Sequence, residues 1–515
     1  MNNHAKFIEA IQAGYAFKGE SLVLGGAMLD GKAIEGLQIQ APLRMFTRHG
    51  LIAGATGSGK TKTLQMLSER LSDKGISVLL MDVKGDLSGL TQAGNDNPKI
   101  RERHQKIGTE WHGSSYPVEF LSLSNEKGAR LRATISEFGP VLLSKILDLN
   151  DTQQGLVSLA FKYCDDRSLP LLDVKDFRAV LQHISGEGKE EVQKEYGLIS
   201  SSTVGTILRK LLELDQQGAD VFFGEKSFDV EDLARLDENG RGYINILRLV
   251  DIQSKPKLFS TFMLCMLAEI YEKFPERGDV DQPELVIFID EAHLVFNEAS
   301  KALLSQIEAI VKLIRSKGVG IFFCTQNPQD VPEAVLSQLG MKVQHTLRAF
   351  TANDRKNIKQ LAENYPLTAF YEVDQTITEL GIGEAFVTLL NEKGSPTPLV
   401  HCLLCAPQSR MDIISPAEMD LVISNSRLVD KYNQTIDRES AFEMLQQKVI
   451  AHHETTREDS TPKDRTSSKA EPTTFETIMK SPVTNTIIRE VTRGLLGVLG
   501  LKTSAPRQSR TRRRY

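Results

Sequence analysis

Eight consecutive residues, Gly54-Ala55-Thr56-Gly57-Ser58-Gly59-Lys60-Thr61, fit the pattern G-x-x-x-x-G-K-[ST]. Glycines let the backbone curl so that successive N–H groups point inward at a chain of phosphates. An apolar run, Leu51-Ile52-Ala53, precedes the loop and a helical pattern follows it, so the helix offers its positive amino end to the same anion. In that chemistry Lys60 reaches the β- and γ-phosphates and the Thr61 hydroxyl ligates Mg²⁺. Thr63, in the first turn of the helix, is grouped with the nucleotide-binding residues. The implied ligands are ATP and Mg²⁺, and a chance glycine-rich turn is the alternative.

A second group stands at the end of another apolar run. Leu285-Val286-Ile287-Phe288-Ile289 leads into Asp290-Glu291-Ala292-His293. A carboxylate at the carboxyl end of a central strand lies beside the phosphate loop of an α/β sheet. Asp290 would hold Mg²⁺, and Glu291 would polarise the attacking water as general base. The plainer alternative is two solvated acids at a helix start. His293 reads as a local hydrogen-bonding residue rather than part of a helicase box.

Three further candidates follow the same logic. Gln326 ends the run Ile321-Phe322-Phe323-Cys324-Thr325 and would sense the γ-phosphate or orient the water. Arg315, in Leu313-Ile314-Arg315-Ser316-Lys317-Gly318, could serve as an arginine finger or as a helix-terminal cation before a terminating glycine. Arg348 is a second candidate of that kind. Asp82-Val83-Lys84-Gly85-Asp86 falls after another strand pattern; it could touch nucleotide, polymer or a neighbouring subunit, or be a charged turn.

These groups need one sheet edge to meet on. Strand patterns at 51–53, 78–81, 118–123, 243–247, 285–289, 319–324, 342–347 and 384–390 alternate with helical ones at 60–72 and 259–274. Strand, helix, strand with short links implies a largely parallel sheet in an α/β fold. Apolar residues at three- and four-residue spacing, such as Ile207, Leu208, Leu211 and Leu212, mark a helical insertion. The organisation expected is a lead-in and first part of the core at 1–138, the insertion at 139–240 and the second part of the core at 241–410. C-terminal helices at 411–453, a disordered linker at 454–478, and an amphipathic segment with a basic tail at 479–515 complete it.

The bulk numbers set bounds. The 515 residues carry a net charge of −5, with 40% hydrophobic and 25% charged residues, so most of the chain is globular. Residues 502–515 hold six basic groups and no acid; taking that +6 from −5 leaves −11 on residues 1–501. The basic tail could bind nucleic-acid phosphates, a membrane surface or a partner, or simply solubilise the chain. Five cysteines, two of them inside apolar runs, suit reduced thiols, and no signal or spanning segment is evident, so a cytoplasmic protein is expected, with peripheral attachment to membrane or DNA open. His401, Cys402 and Cys405 offer too few ligands for structural zinc.

Taken together, the segments 49–61, 82–87, 288–294, 314–320, 325–332 and 335–340 resemble the HerA/FtsK superfamily, and within it the YjgR-like group with a HerA-like helicase C-terminal domain. The resemblance runs from about residue 20 to about residue 500. It implies a RecA-like P-loop NTPase core with a helical insertion and a C-terminal helical extension. It implies ATP hydrolysis by a homo-hexameric ring that moves double-stranded DNA, or sometimes protein, through its pore. It matches Arg315 to the trans-acting arginine and Gln326 to the sensor glutamine. Only about 48 residues precede the phosphate loop, too few for the N-terminal β-barrel with which HerA translocases dock a nuclease, so that partnership is not expected. The competing readings are an ATPase that remodels protein or acts at the membrane, and a slow ATP-gated binding module.

Overall fold

The computed structural model describes residues 3–251, 255–296, 301–434, 436 and 438–448. The expected linker at 454–478 and amphipathic tail at 479–515 lie outside the described residues. By contacts the chain divides into two compact units. One comprises residues 1–134, 172–174 and 209–438; the other comprises 135–171, 175–208 and 439 onward.

The first unit holds a sheet of twelve strands. In chain order these are β1 (Ser21–Leu29), β2 (Lys32–Pro42), β3 (Gly50–Ala53), β4 (Ser77–Asp82), β5 (Val118–Ser122) and β6 (Ala129–Arg130). Then come β7 (Ile244–Arg248), β8 (Leu285–Ile289), β9 (Val319–Thr325), β10 (Met341–Gln344), β11 (Glu384–Leu389) and β12 (Val400–Leu404). Across the sheet they run β2-β1-β12-β11-β10-β3-β9-β8-β4-β7-β5-β6. From β10 to β6 every pairing is parallel. Strands β3, β4, β8 and β9 are buried along their whole length, as continuous apolar runs covered on both faces require.

The other four strands pair antiparallel, β10 with β11, β11 with β12, β12 with β1 and β1 with β2. Residues 1–48 are therefore more than a lead-in. They supply a helix, Asn3–Gly14, and the two long strands that close this side of the sheet. Their glycines weaken the strand signal, while Gly25 is required: a Cβ there would lie 2.1 Å from the Leu403 carbonyl oxygen. The strand expected at 342–347 ends at Gln344; beyond it Thr346 O accepts from Ala55 N–H of the phosphate loop and Leu347 N–H turns to Ile377 O.

Helices Ile135–Ile146, Asp151–Arg167, Val174–Ser185 and Lys189–Tyr196 account for the bulk of the second unit. Asn150 and Gln153 form a capping box at the start of the second of these helices. This unit is helical, and its first helix starts at Ile135. Helices Pro416–Ser424 and Arg427–Tyr432 follow the sheet.

Close packing fixes the central strands. The turn Leu43–Arg48 lies directly against β9, and a Cβ on Gly320 would meet the Phe46 carbonyl oxygen at 1.8 Å. Backbone on both sides leaves no room to yield. Gly320→Ala is expected to cost about 3 kcal/mol or to prevent folding. Urea unfolding checks this, and a loss below about 0.5 kcal/mol would show that the turn can move away.

A charged site at the carboxyl edge of the parallel sheet

Parallel register brings the strand ends to one level. Ala53 pairs with Thr325, Ile289 with Phe323 and Met81 with Ile289. The residues that follow β3, β4, β8 and β9 therefore emerge side by side at the carboxyl edge.

The phosphate loop leaves β3 and enters the helix Lys60–Asp73. Its backbone is pinned at several points. Gly54 N–H donates to Thr325 O at 3.2 Å, Ala55 N–H to Thr346 O at 2.8 Å, and Gly383 N–H to Ser58 O at 3.1 Å. Gly57 and Gly59 take φ of 79° and 112°, a region costly for a side chain. A Cβ on Gly54 would press on His345 at 2.5 Å, whereas one at Gly57 would meet nothing within 4 Å. The loop is closely backed yet open on one side, as a cradle must be.

Lys60 is buried and donates to Gly54 O at 2.6 Å and Ala55 O at 3.2 Å. Burial, and then the neighbouring Lys84, hold its ammonium below the usual lysine range. Thr63 is buried; its hydroxyl lies 3.3 Å from Gly59 O and 2.9 Å from His345 Nε2, so it braces the loop. Thr61 sits half-buried in the first helical turn.

Asp290 and Glu291 follow β8. Burial pushes the Asp290 carboxyl up to about 6, against the pull of Lys84. Glu291 adopts φ 48°, a strained conformation for a side-chain-bearing residue. Its carboxylate pairs with Lys84 at 2.5 Å and accepts from Gln326 Nε2 at 3.3 Å, with His293 Nδ1 3.3 Å away. Burial would raise this carboxyl, but Lys84 outweighs burial and holds it below the usual range. Gln326 also accepts from the Thr56 hydroxyl at 3.2 Å. Thr56, Gln326, Glu291 and Lys84 thus form one hydrogen-bonded chain from phosphate loop to β4 loop. Beside it, a cleft of about 370 Å³ is lined in part by Ala55, Thr56, Gln326, Arg348 and Phe350. Arg348 donates to Thr56 O at 3.3 Å.

Ten buried side-chain polar atoms have no hydrogen-bond partner among the described residues, and half of them are here: on Ser58, Asp86, Asp290, Glu291 and His345. Such concentration marks a place built for an additional charged ligand. An orphaned Asp290 oxygen near Lys60 fits a hard divalent cation and its phosphates.

Arg315 is elsewhere. It precedes β9, at the opposite end of that strand from Thr325, and pairs with Asp279. Seven strand residues separate the two levels, roughly 23 Å, so Arg315 does not meet the phosphate loop of its own chain.

Sequence reasoning named Asp82, Lys84 and Asp86 without a role. Asp82 is buried and accepts from the N–H groups of Gly85, Asp86 and Leu87 at 2.7, 3.3 and 3.2 Å. The signal was an aspartate three residues before a glycine, the pattern of a side-chain-capped turn, and Gly85 takes φ 76°. It missed the strap along the phosphate-loop helix. Lys62, Gln65 and Glu69 share one helical face and bind Met411 O, Arg410 O, Ser409 and Gln408. No local pattern links residues some 340 positions apart. Cys402 and Cys405 are buried free thiols.

The family described as helicase HerA-like, C-terminal, matches residues 28–504. The DNA double-strand break repair helicase HerA of Sulfolobus acidocaldarius is 24% identical over 364 residues, 69% of this chain and 66% of that protein. The DNA import protein CedB of the same organism is 25% identical over 362 residues, covering 69% of this chain and 52% of its own. The chain thus spans just under two thirds of the HerA relative it matches. Among solved structures, the unbound bacterial conjugative coupling protein TrwBdeltaN70 superimposes with a TM-score of 0.50 at 14% identity, over 79% of this chain and 93% of that one. That likeness concerns the fold.

The strap carries a pH signature. Burial pushes the Glu69 carboxyl up to about 7 from an ordinary 4.5. A raised acid favours folding while protonated: the contribution is full below about pH 4.5 and is lost as pH climbs to 7. Glu69→Gln is therefore expected to gain stability relative to the parent as pH rises from about 5 to 8. Melting curves at the two pH values check it; a constant difference would contradict it.

Proposed function

The chain belongs to the HerA-like helicase C-terminal family, and from that premise we propose that it hydrolyses ATP as a ring-forming motor acting on double-stranded DNA. The observation that carries the reading is the meeting of buried Lys60, Asp290 and Glu291 with the exposed Gln326 at the mouth of the phosphate loop. The names of the relatives, a repair helicase and a DNA import protein, support DNA as the polymer.

The loop from Gly54 to Gly59 would enclose the phosphates with its N–H groups, and Lys60 would exchange the Gly54 and Ala55 carbonyls for β- and γ-phosphate oxygens. Thr61 and Asp290 would hold Mg²⁺, which supplies neutralising charge to the phosphates when bound. Glu291 would accept the proton of the attacking water, and Gln326, already between Thr56 and Glu291, would report the γ-phosphate to both. Arg315 would serve a neighbouring subunit, since its own chain keeps it at the far edge of the sheet. That placement supports a closed homo-oligomer, and a hexamer is the form proposed. The bounds proposed are 1–138 and 241–410 for the core and 139–240 for the insertion, of which residues 209–240 belong by contacts to the sheet unit.

Among the described residues no helix is long and apolar enough to cross a membrane.

Steady-state ATP turnover, with and without double-stranded DNA, tests the proposal. DNA is expected to raise turnover several-fold, and Lys60→Ala and Glu291→Gln are each expected to lower it about a hundredfold or more. Turnover indifferent to DNA would discard DNA as the polymer and favour a protein substrate. Turnover that survives both substitutions would discard the site.

A further inference from the structure

The loop after β4 remains without a task in that mechanism, although it reaches the catalytic carboxylate. Its backbone is fixed: the Asp82 carboxylate binds three successive N–H groups, and a Cβ on Gly85 would already crowd Val250 at 3.1 Å. The Lys84 side chain, at 36% exposed, has solvent on one side in which to swing. A flexible stem with a point charge suits exchange between anions.

Glu291 is withdrawn in this arrangement. Its side chain is 7% exposed, one oxygen is shared by Lys84 and Gln326, and the other is buried with His293 Nδ1 3.3 Å away. A base so enclosed and so closely paired is poorly placed to accept a proton from water. Meanwhile the Lys84 ammonium lies near enough to that of Lys60 to disfavour its charge. Two like charges converge where Lys60 would meet phosphate, Lys60 resting on the Gly54 and Ala55 carbonyls and Lys84 drawn by Asp290, Glu291 and Asp86. A further anion at that point would compete directly for Lys84.

We propose that Lys84 is a latch on Glu291 that a nucleoside triphosphate releases, its ammonium moving from the carboxylate to the terminal phosphate. The base is then freed only when the substrate, not the diphosphate product, fills the site. The inference rests on the nucleotide reading above and adds a discriminating role for a residue outside the phosphate loop.

Calorimetric titration of the full chain with Mg²⁺-ADP and with a non-hydrolysable Mg²⁺-ATP analogue tests it, using the parent, Lys84→Met, Glu291→Gln and the double variant. Lys84→Met is expected to weaken the analogue about tenfold while leaving ADP within about twofold. Glu291→Gln sets Lys84 free, so it is expected to tighten the analogue several-fold when Lys84 is present and to do nothing when it is absent. Equal changes for ADP and analogue in Lys84→Met overturn the latch. So does an effect of Glu291→Gln that persists without Lys84. If ADP binds neither the parent nor any variant, the nucleotide reading falls and the latch with it. A melting curve within about 2 °C of the parent establishes that Lys84→Met is folded.

Discussion

Keeping Lys60, Asp290 and Glu291 buried side by side is the constraint on which the rest of the structure depends. An isolated charge costs several kcal/mol to bury, and such groups persist only when opposite charges and hydrogen bonds surround them. Here Lys60 rests on two loop carbonyls, Lys84 covers Glu291, and Gln326 links Glu291 to Thr56. The balance is incomplete, because Asp290, Glu291 and Ser58 each keep a buried oxygen without a hydrogen bond. In the proposed function, that unfinished electrostatics would give the edge its affinity for phosphate and metal.

The parallel half of the sheet exists to set that geometry. Its register levels the ends of β3, β4, β8 and β9, so four loops emerge side by side within about 14 Å. Neighbouring strands lie about 4.8 Å apart, which is why a lysine from the β4 loop reaches a glutamate after β8, one strand away. Supports arrive from farther off: His345 braces Thr63, and Gly383 ties the β11 end to Ser58. The strap at 408–411 then fixes the helix that presents Lys60.

Much of this was legible in the sequence because it is local. A strand, a glycine-rich turn and a helix lie within 25 residues, and the continuous apolar runs of β8 and β9 end on their polar residues. What stayed hidden is long-range or weakly patterned. Strands β1 and β2 carry glycines and β2 is half-exposed, so residues 1–48 read as a lead-in. The pairing of Lys84 with Glu291 joins residues 207 positions apart through a shared sheet edge, and nothing in either segment announces the other. The Asp82 cap was visible as a turn pattern, but its purpose depends on where β8 ends.

The most direct test of the central claim is thermal unfolding of the full chain with and without a saturating non-hydrolysable Mg²⁺-ATP analogue, beside Lys60→Ala. A ligand present at about a hundred times its dissociation constant adds about 2.7 kcal/mol, enough to raise the melting temperature by several degrees. The charged edge described here predicts that rise in the parent and its loss in Lys60→Ala. An analogue that leaves the parent's melting temperature unchanged, or that stabilises Lys60→Ala equally, would contradict the assignment of this edge as the nucleotide site.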